Sequence, residues 1–358
     1  MTTKLTAAAA GSTAHAVRCI QSLAADERFV IELVITPAPQ PQGRNKDLVR
    51  NPVHQWAEDH RKPVLLIEDQ ISNELKQPLS EHFPNSPDFL LVVDFGYLIP
   101  NWLLSLPKIA PINVHPSALP RWRGSSPAQF AILNGDQTSA VSVMKLDEQL
   151  DHGPLVFQEG FSLNPNWTSA DYYHYSFELI APKLPSILEQ LAQNKIKPEP
   201  QPDQSPTPVA RKINKSDSFV SWEIVKFCRN KLQRNSSKQQ LLAALPKDSI
   251  LKKFIAKKDL ASWPQVVERA CRAFQPWPIV WTKIPTSKGP RRMQLLKCQI
   301  KSQQSNSSQL TTQRPNKDLA QNSNQKIILE LDQVKVAGQQ AAAWNQVKNI
   351  VIAQEDDK

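Results

Sequence analysis

Glycine is scarce in this chain, at nine residues in 358, where an average protein carries about 7%. Each glycine is therefore apt to mark a required turn, and Gly124, Gly135 and Gly153 all fall beside polar motifs. Cysteine is scarcer still: Cys19, Cys228, Cys271 and Cys298 are scattered, with no Cys-x-x-Cys pair. That argues against a zinc site and for reduced thiols in a cytoplasmic protein. The seven histidines show no metal-ligand spacing, so no metal is expected. No apolar run reaches the roughly 18 residues of a membrane span, and no membrane partner is expected. Met1–Arg18 lacks acidic residues, as transit peptides do. Lys4–Ala10 followed by Gly11-Ser-Thr13 nevertheless reads better as a first strand and turn.

The net charge of +10 is unevenly spread. Residues 1–215 hold 19 Lys and Arg against 22 Asp and Glu, whereas residues 216–358 hold 24 against 11. The basic excess lies wholly in the C-terminal part. Lysine and arginine contacts to phosphate supply most non-specific nucleic-acid affinity, so a polyanionic partner is one reading. A solubilising surface is the other, and charge alone does not separate them.

Taken in order, Leu5–Ala10, Phe29–Thr36, Pro63–Ile67, Phe89–Val93 and Ile109–Val114 read as strands. Helical patterns at 13–24, 53–60 and 72–79 lie between them, and residues 37–52 read as a Pro-rich basic loop. This alternation predicts an α/β fold with a parallel, doubly wound sheet. Ligands bind such sheets at the carboxyl ends of strands. A helix is expected over 126–133, strands over 140–146 and 155–159, and a long helix over 168–193 that Pro182 and Pro185 kink or break. Lys197–Pro208 holds five prolines and reads as an extended linker. Beyond it, a helix over 266–274 is stopped by Pro276, and strands are expected at 279–284 and 293–300, with two short ones over 327–336 and a last turn at 341–347. Ser302–Gln325 is polar and Gln/Asn/Ser-rich, a composition of mobile loops.

The densest chemistry lies in Pro111-Ile-Asn-Val-His-Pro-Ser-Ala-Leu-Pro-Arg-Trp-Arg-Gly124. Asn113 and His115, two apart on a strand, share one face. An amide can donate to a developing oxyanion, and an imidazole moves protons near neutral pH. A second polar cluster, Leu146-Asp-Glu-Gln-Leu-Asp151-His-Gly153, lies downstream. Taken singly, each has a bland alternative: a histidine after a strand is usually structural, an asparagine near a turn is usually a cap, and Asp151 before His-Gly can simply shape a turn.

Together these residues resemble the folate-dependent formyltransferases, and most closely their methionyl-tRNA formyltransferase branch. The resemblance is carried by Asn113-Val-His115, Ser117-Ala-Leu-Pro-Arg-Trp-Arg-Gly124, Leu150-Asp-His-Gly153 and Arg272-Ala-Phe-Gln-Pro-Trp-Pro278, in the family's order over about three quarters of the chain. It implies a Rossmann-like catalytic domain at 1–196, a linker at 197–215, and a basic C-terminal domain at 216–358 that is a small OB-like β-barrel. Residues 226–262 then read as an insertion, with ten Lys and Arg and the single acid Asp248 within 226–258.

The resemblance implies that 10-formyltetrahydrofolate is the co-substrate and initiator methionyl-tRNA the acceptor, in support of translation initiation. Asn113 would hold the formyl oxygen, His115 would donate to the oxyanion as general acid, and Asp151 would orient His115 and shuttle the amine's proton. Ser117, Ala118, Leu119 and Pro120 would wall the folate site, with Phe95, Leu98 and Ile99 lining an apolar pterin pocket. Arg44, Lys46 and Arg50 would meet tRNA; a solvated loop is the alternative. Three departures stand out: Asp94 replaces a small apolar residue, Pro116 a glycine, and Gly11-Ser-Thr-Ala-His15 lacks the family's Pro and aromatic. The competing readings are an amino-sugar or nucleotide-sugar formyltransferase, which Pro116 favours slightly, and an RNA-binding protein with a silent active site. Nothing in the sequence demands more than a monomer.

Overall fold

The computed structural model describes residues 4–42, 45–83, 85–229, 237–303 and 326–351. The chain divides into two units: Met1–Ala128, Gln137–Pro165 and Ala170–Arg211 in the first; Gln129–Asp136, Asn166–Ser169 and Lys212–Lys358 in the second.

Strand β1 (Leu5–Gly11) is mostly alanine, a poor strand former. Its side chains alternate between two packed faces. Ala7 and Ala9 enter one core, with Ile20, Leu23 and Val53, while Ala8 and Ala10 enter another, with Leu79, Phe83 and Leu103. A strand covered on both faces needs no polar alternation, and there burial outweighs propensity. The chain continues through α1 (Ala14–Ala24), β2 (Phe29–Pro37), β3 (Gln40–Gln42), β4 (Asp47–Val49), α2 (Pro52–Asp59), β5 (Val64–Ile67) and α3 (Lys76–His82). It then runs through β6 (Phe89–Val93), α4 (Asn101–Leu104), β7 (Ala110–His115), α5 (Pro127–Asn134), β8 (Thr138–Lys145), β9 (Leu155–Ser162), α6 (Ser169–Ile180) and α7 (Leu184–Ala192). All five residues of β6 are buried, each such apolar side chain contributing about 1.5–3 kcal/mol before entropy is counted.

The sheet order is β5-β2-β1-β6-β7-β8-β9. Five strands are parallel, β8 pairs antiparallel to β7, and β9 antiparallel to β8. From β1 the chain builds outward through β2 to β5, then returns to lay β6 and β7 on the other side. Strand order thus reverses between β1 and β6, and the crevice outside their carboxyl ends is where such sheets take ligands.

Two local expectations change. The Pro-rich loop at 37–52 contains the hairpin β3–β4. The long helix breaks, as its prolines lead one to expect, into α6 and α7 through a 3₁₀ turn at Ala181–Lys183, beside Pro182 and Pro185. The second change is at Lys197–Pro208, which is not a free linker. Glu199 exchanges two backbone hydrogen bonds with Leu155, and Ala210 both donates to Arg123 O and accepts from Ser126 N. Proline removes donors but leaves carbonyl acceptors, so the segment binds through side chains and scattered amides instead of a ladder.

In the second unit, α8 (Trp222–Cys228), α9 (Lys238–Ala243), α10 (Ile250–Ala256) and α11 (Trp263–Ala273) precede β10 (Trp281–Ile284), β11 (Arg291–Gln303), β12 (Lys326–Val336), β13 (Ala341–Ala343) and α12 (Trp344–Val347). The four strands pair antiparallel in sequence order. Helix α11 buries Trp263, Val266, Val267, Ala270 and Cys271 on its face toward β11 and β12. Among the described residues this is an open four-stranded sheet, a small β domain, with no barrel closure between β10 and β13. The two short strands expected over 327–336 are one long strand, because Gln333 and Lys335 pair with β13 instead of turning. Most of the polar 302–325 segment lies outside the described residues. The basic insertion is folded where described: Ser237 and Ser249 cap α9 and α10, and Asp217 accepts from Ile250 N at 2.9 Å.

Candidate active site

Strand β7 delivers Asn113 and His115 to the same side. The alternate residues Ile112 and Val114 point into the first core, so alternation turns Asn113 and His115 the other way. Asn113 pairs in register with Val92 on β6, and its Nδ2 donates to Val92 O at 3.0 Å. Its Oδ1 is buried and has no hydrogen-bond partner among the described residues. An orphaned buried acceptor costs about 1–3 kcal/mol, a penalty that makes sense where a ligand supplies the donor.

His115 is 6% exposed. Its Nε2 lies 3.2 Å from Trp122 O. A carbonyl only accepts, so Nε2 carries the proton in this contact. Nδ1 faces Asp151 Oδ2 at 3.7 Å, close for charge attraction and long for a hydrogen bond. The same Asp151 oxygen accepts from Gly124 N at 2.7 Å. One carboxylate oxygen therefore ties the end of the Arg-Trp-Arg-Gly turn to the imidazole.

Two glycines permit this approach. Gly124 has φ +120°, and a Cβ there would stand 2.7 Å from Ala210 O. At Gly153 a Cβ would stand 1.9 Å from Lys145 O. Two non-glycine residues, Trp122 (φ +59°) and Asp151 (φ +49°), occupy the left-handed region, a strain of about 1–3 kcal/mol each that clusters at functional sites.

The loop after His115 has no ladder of its own, and side chains hold its carbonyls. Tyr172 Oη donates to Pro116 O at 3.0 Å, Ser142 Oγ to Ser117 O at 2.7 Å, and Gln158 Nε2 to Leu119 O at 3.0 Å. Ser205 Oγ donates to Pro120 O, and Trp122 N donates to Thr207 Oγ1, both at 2.7 Å. Ser117 and Leu119 are buried, and Ser117 Oγ donates to Arg121 O. Phe95 and Ile99 pack half-buried on the second core, while Leu98 is 88% exposed.

A formyl transferase family model matches residues 4–180. A methionyl-tRNA formyltransferase of Legionella pneumophila is 33% identical over 218 residues, covering 61% of this chain and 68% of its own. Another, from Idiomarina loihiensis, is 30% identical over 272 residues, covering 76% and 72%. The chain belongs to the methionyl-tRNA formyltransferase family. A crystal structure of a sugar 3N-formyl transferase, obtained with dTDP and 5-N-formyl-THF, shares the fold at TM-score 0.50 and 16% identity, covering 83% of this chain and 86% of that one.

Within this member of the family, Asn113 and His115 lie on one side of β7 toward its carboxyl end, Asp151 faces His115, and residues 117–120 follow directly along the chain. Lys46 sits at the exposed turn of the β3–β4 hairpin, and Arg50 is ion-paired to Glu58 at 3.1 Å. Arg44 lies outside the described residues. His152 serves the loop, donating to Asp147 Oδ2 at 2.9 Å. Reading along the chain missed Tyr172, Ser142, Gln158, Gln201 and Thr207. Ser142 and Gln158 had a signal, being polar residues that pair with each other on two neighbouring strands. Gln201 and Thr207 had none, inside a segment whose prolines read as a linker. No helix among the described residues is long and apolar enough to cross a membrane.

Proposed function

We propose that this chain transfers the formyl group of 10-formyltetrahydrofolate to the amino group of methionine esterified to initiator tRNA, in support of translation initiation. Family membership supports the reaction, and Asn113 carries the assignment of the site. Its Nδ2 uses one of two protons on Val92 O, and its Oδ1 is an unpartnered buried acceptor. Such an amide offers a donor to the formyl oxygen and an acceptor to the attacking amine.

The amine lone pair attacks the formyl carbon, a C–N bond forms, and the carbonyl pair moves onto oxygen. Asn113 and His115 stabilise that oxyanion. The oxyanion is a charged acceptor and stronger than the Trp122 carbonyl that Nε2 meets at 3.2 Å, so the His115 proton transfers its bond to the substrate. Asp151 orients the ring from the Nδ1 side and takes the amine's proton, directly or through water. On collapse the oxyanion pair re-forms the carbonyl and the bond to the folate nitrogen breaks, that nitrogen leaving with the proton that Asp151 took.

Ser117, Ala118, Leu119 and Pro120 form the folate wall, with Phe95, Leu98 and Ile99 as apolar cover. Asn101 Nδ2 donates to Glu148 Oε1 at 2.6 Å, joining the loop of Leu98 to the loop of Asp151. Lys46 and Arg50, on or beside the hairpin, together with Arg44 and the basic residues of 226–258, meet the tRNA backbone. A monomer suffices, since one chain supplies all three groups, and the enzyme works where translation does, in the cytoplasm.

The test is a formyl-transfer assay offering 10-formyltetrahydrofolate with methionyl initiator tRNA in one arm and an amino-sugar nucleotide in the other. Formylation of the tRNA alone, lost in Asn113→Ala and His115→Ala, is the expected result. Transfer to the sugar refutes the acceptor; full activity in either variant refutes the site.

A further inference from the structure

The strap over residues 199–210 carries one side chain that touches both halves of the site's scaffold. Gln201 is 7% exposed. Its Nε2 donates to Gly153 O at 2.7 Å and to Asp151 O at 3.2 Å. Its Oε1 accepts from Arg123 Nη2 at 3.0 Å and Nε at 3.3 Å. The amide orientation is dictated by chemistry, because guanidinium groups only donate and backbone carbonyls only accept. Arg123 is itself buried, and it also donates from Nη2 to Pro202 O at 2.7 Å and from Nη1 to Asp203 O at 3.1 Å. The cation is thus held by strap oxygens.

Arg123 stands between the two backbone groups that define the imidazole's surroundings. On one side is Trp122, whose carbonyl meets His115 Nε2; on the other is Gly124, whose N–H holds Asp151 Oδ2. Gln201 therefore links the Asp151–Gly153 turn to the Trp122–Gly124 turn through one amide. Both Trp122 and Asp151 are in the left-handed region, and a strained backbone keeps its conformation only when its surroundings over-determine it.

We infer that Gln201 is a positioning residue for formyl transfer, setting the separation and angle between Asp151 and His115 from the strap. The inference rests on the reading of His115 and Asp151 as the catalytic pair. Neither Gln201 nor Arg123 touches substrate in this scheme; both act through the carboxylate and the imidazole. A misplacement of about 1 Å at reacting groups lowers rate by up to about a hundredfold, so removing the amide lowers kcat by roughly ten- to a hundredfold and leaves KM for both substrates within about twofold.

The test is a double-mutant cycle on the full chain: Gln201→Met, Asp151→Asn and the pair, each measured for kcat, KM and the pH profile of kcat. Gln201→Met keeps length and removes both polar atoms. Gln201→Glu keeps the acceptor for Arg123 and removes the donor to the two carbonyls, and replaces Gln201→Met in the cycle if the latter does not fold. The expected result is a fall in kcat with an altered pH profile in the wild-type background, and no further fall on top of Asp151→Asn. Losses that multiply independently, or a normal kcat and pH profile in a folded variant, overturn the inference. Wild-type turnover in Asp151→Asn alone overturns the reading of the site, an outcome separate from failure of the Gln201 arm.

Discussion

Replacing Asp151 by asparagine separates catalysis from stability. Asp151 Oδ2 accepts from Gly124 N at 2.7 Å and faces His115 Nδ1 at 3.7 Å. An asparagine oxygen can still accept from Gly124, so the substitution exchanges a hydrogen bond to a charged group, about 1.5–3 kcal/mol, for a neutral one of about 0.5–1.5 kcal/mol. The backbone at φ +49° suits asparagine, which tolerates the left-handed region better than most residues. The expected stability loss is therefore about 1 kcal/mol, a shift of about 1–2 °C in Tm for a chain of this size. Removing an acid–base partner lowers rate by about 10²–10⁴, or roughly 3–5 kcal/mol of barrier. The catalytic effect should exceed the structural one several-fold. Single-turnover formylation of methionyl-tRNA at saturating folate, beside a thermal melt, measures both. A rate within threefold of wild type refutes the role given to Asp151. A rate loss that follows the unfolded fraction refutes the claim that it is chemical.

Gly124→Ala combines a forbidden φ with a Cβ 2.7 Å from Ala210 O; it should cost about 2–5 kcal/mol in urea unfolding, and a loss below about 1 kcal/mol contradicts the geometry. His15 stacks on Phe177 at 4.9 Å, and burial holds its imidazole below the ordinary range, helped by Arg18 and His174 and opposed by Asp94. The unfolded chain then takes up this proton first, so stability falls as pH drops through the ordinary histidine range toward the folded value. His15→Phe should remove that share of the acid-side loss, and an identical pH dependence in wild type and variant disproves it. Lys247, Lys253, Lys257 and Lys258 are exposed around α10. Replacing all four by glutamine should weaken tRNA binding and lower the slope of log affinity against log salt by up to about 3, with the transfer rate at saturating tRNA unchanged. An unchanged slope removes the insertion from the tRNA interface.

What could be read along the chain, and what could not, follows from the range of each interaction. Period-2 alternation puts Asn113 and His115 on one face without any tertiary knowledge. The buried run of β6 and the order of strands and helices likewise follow from local pattern. The hairpin at 40–49 escaped because its pairing depends on turn geometry, and prolines at 37, 39 and 41 read as loop. The strap escaped for a deeper reason. Gln201 meets Asp151 and Arg123 across separations of 50 and 78 residues, and Ser205 and Thr207 reach the His115 loop across 85. No period encodes such contacts, and five prolines in twelve residues give the composition of a spacer. The groups proposed for the chemistry sit on a regular strand and a short turn, where sequence speaks plainly. Their distances are set by side-chain-to-backbone bonds from a segment without regular structure. Substituting strap residues should therefore change rate more than fold, whereas substituting β1 or β6 core residues should do the reverse.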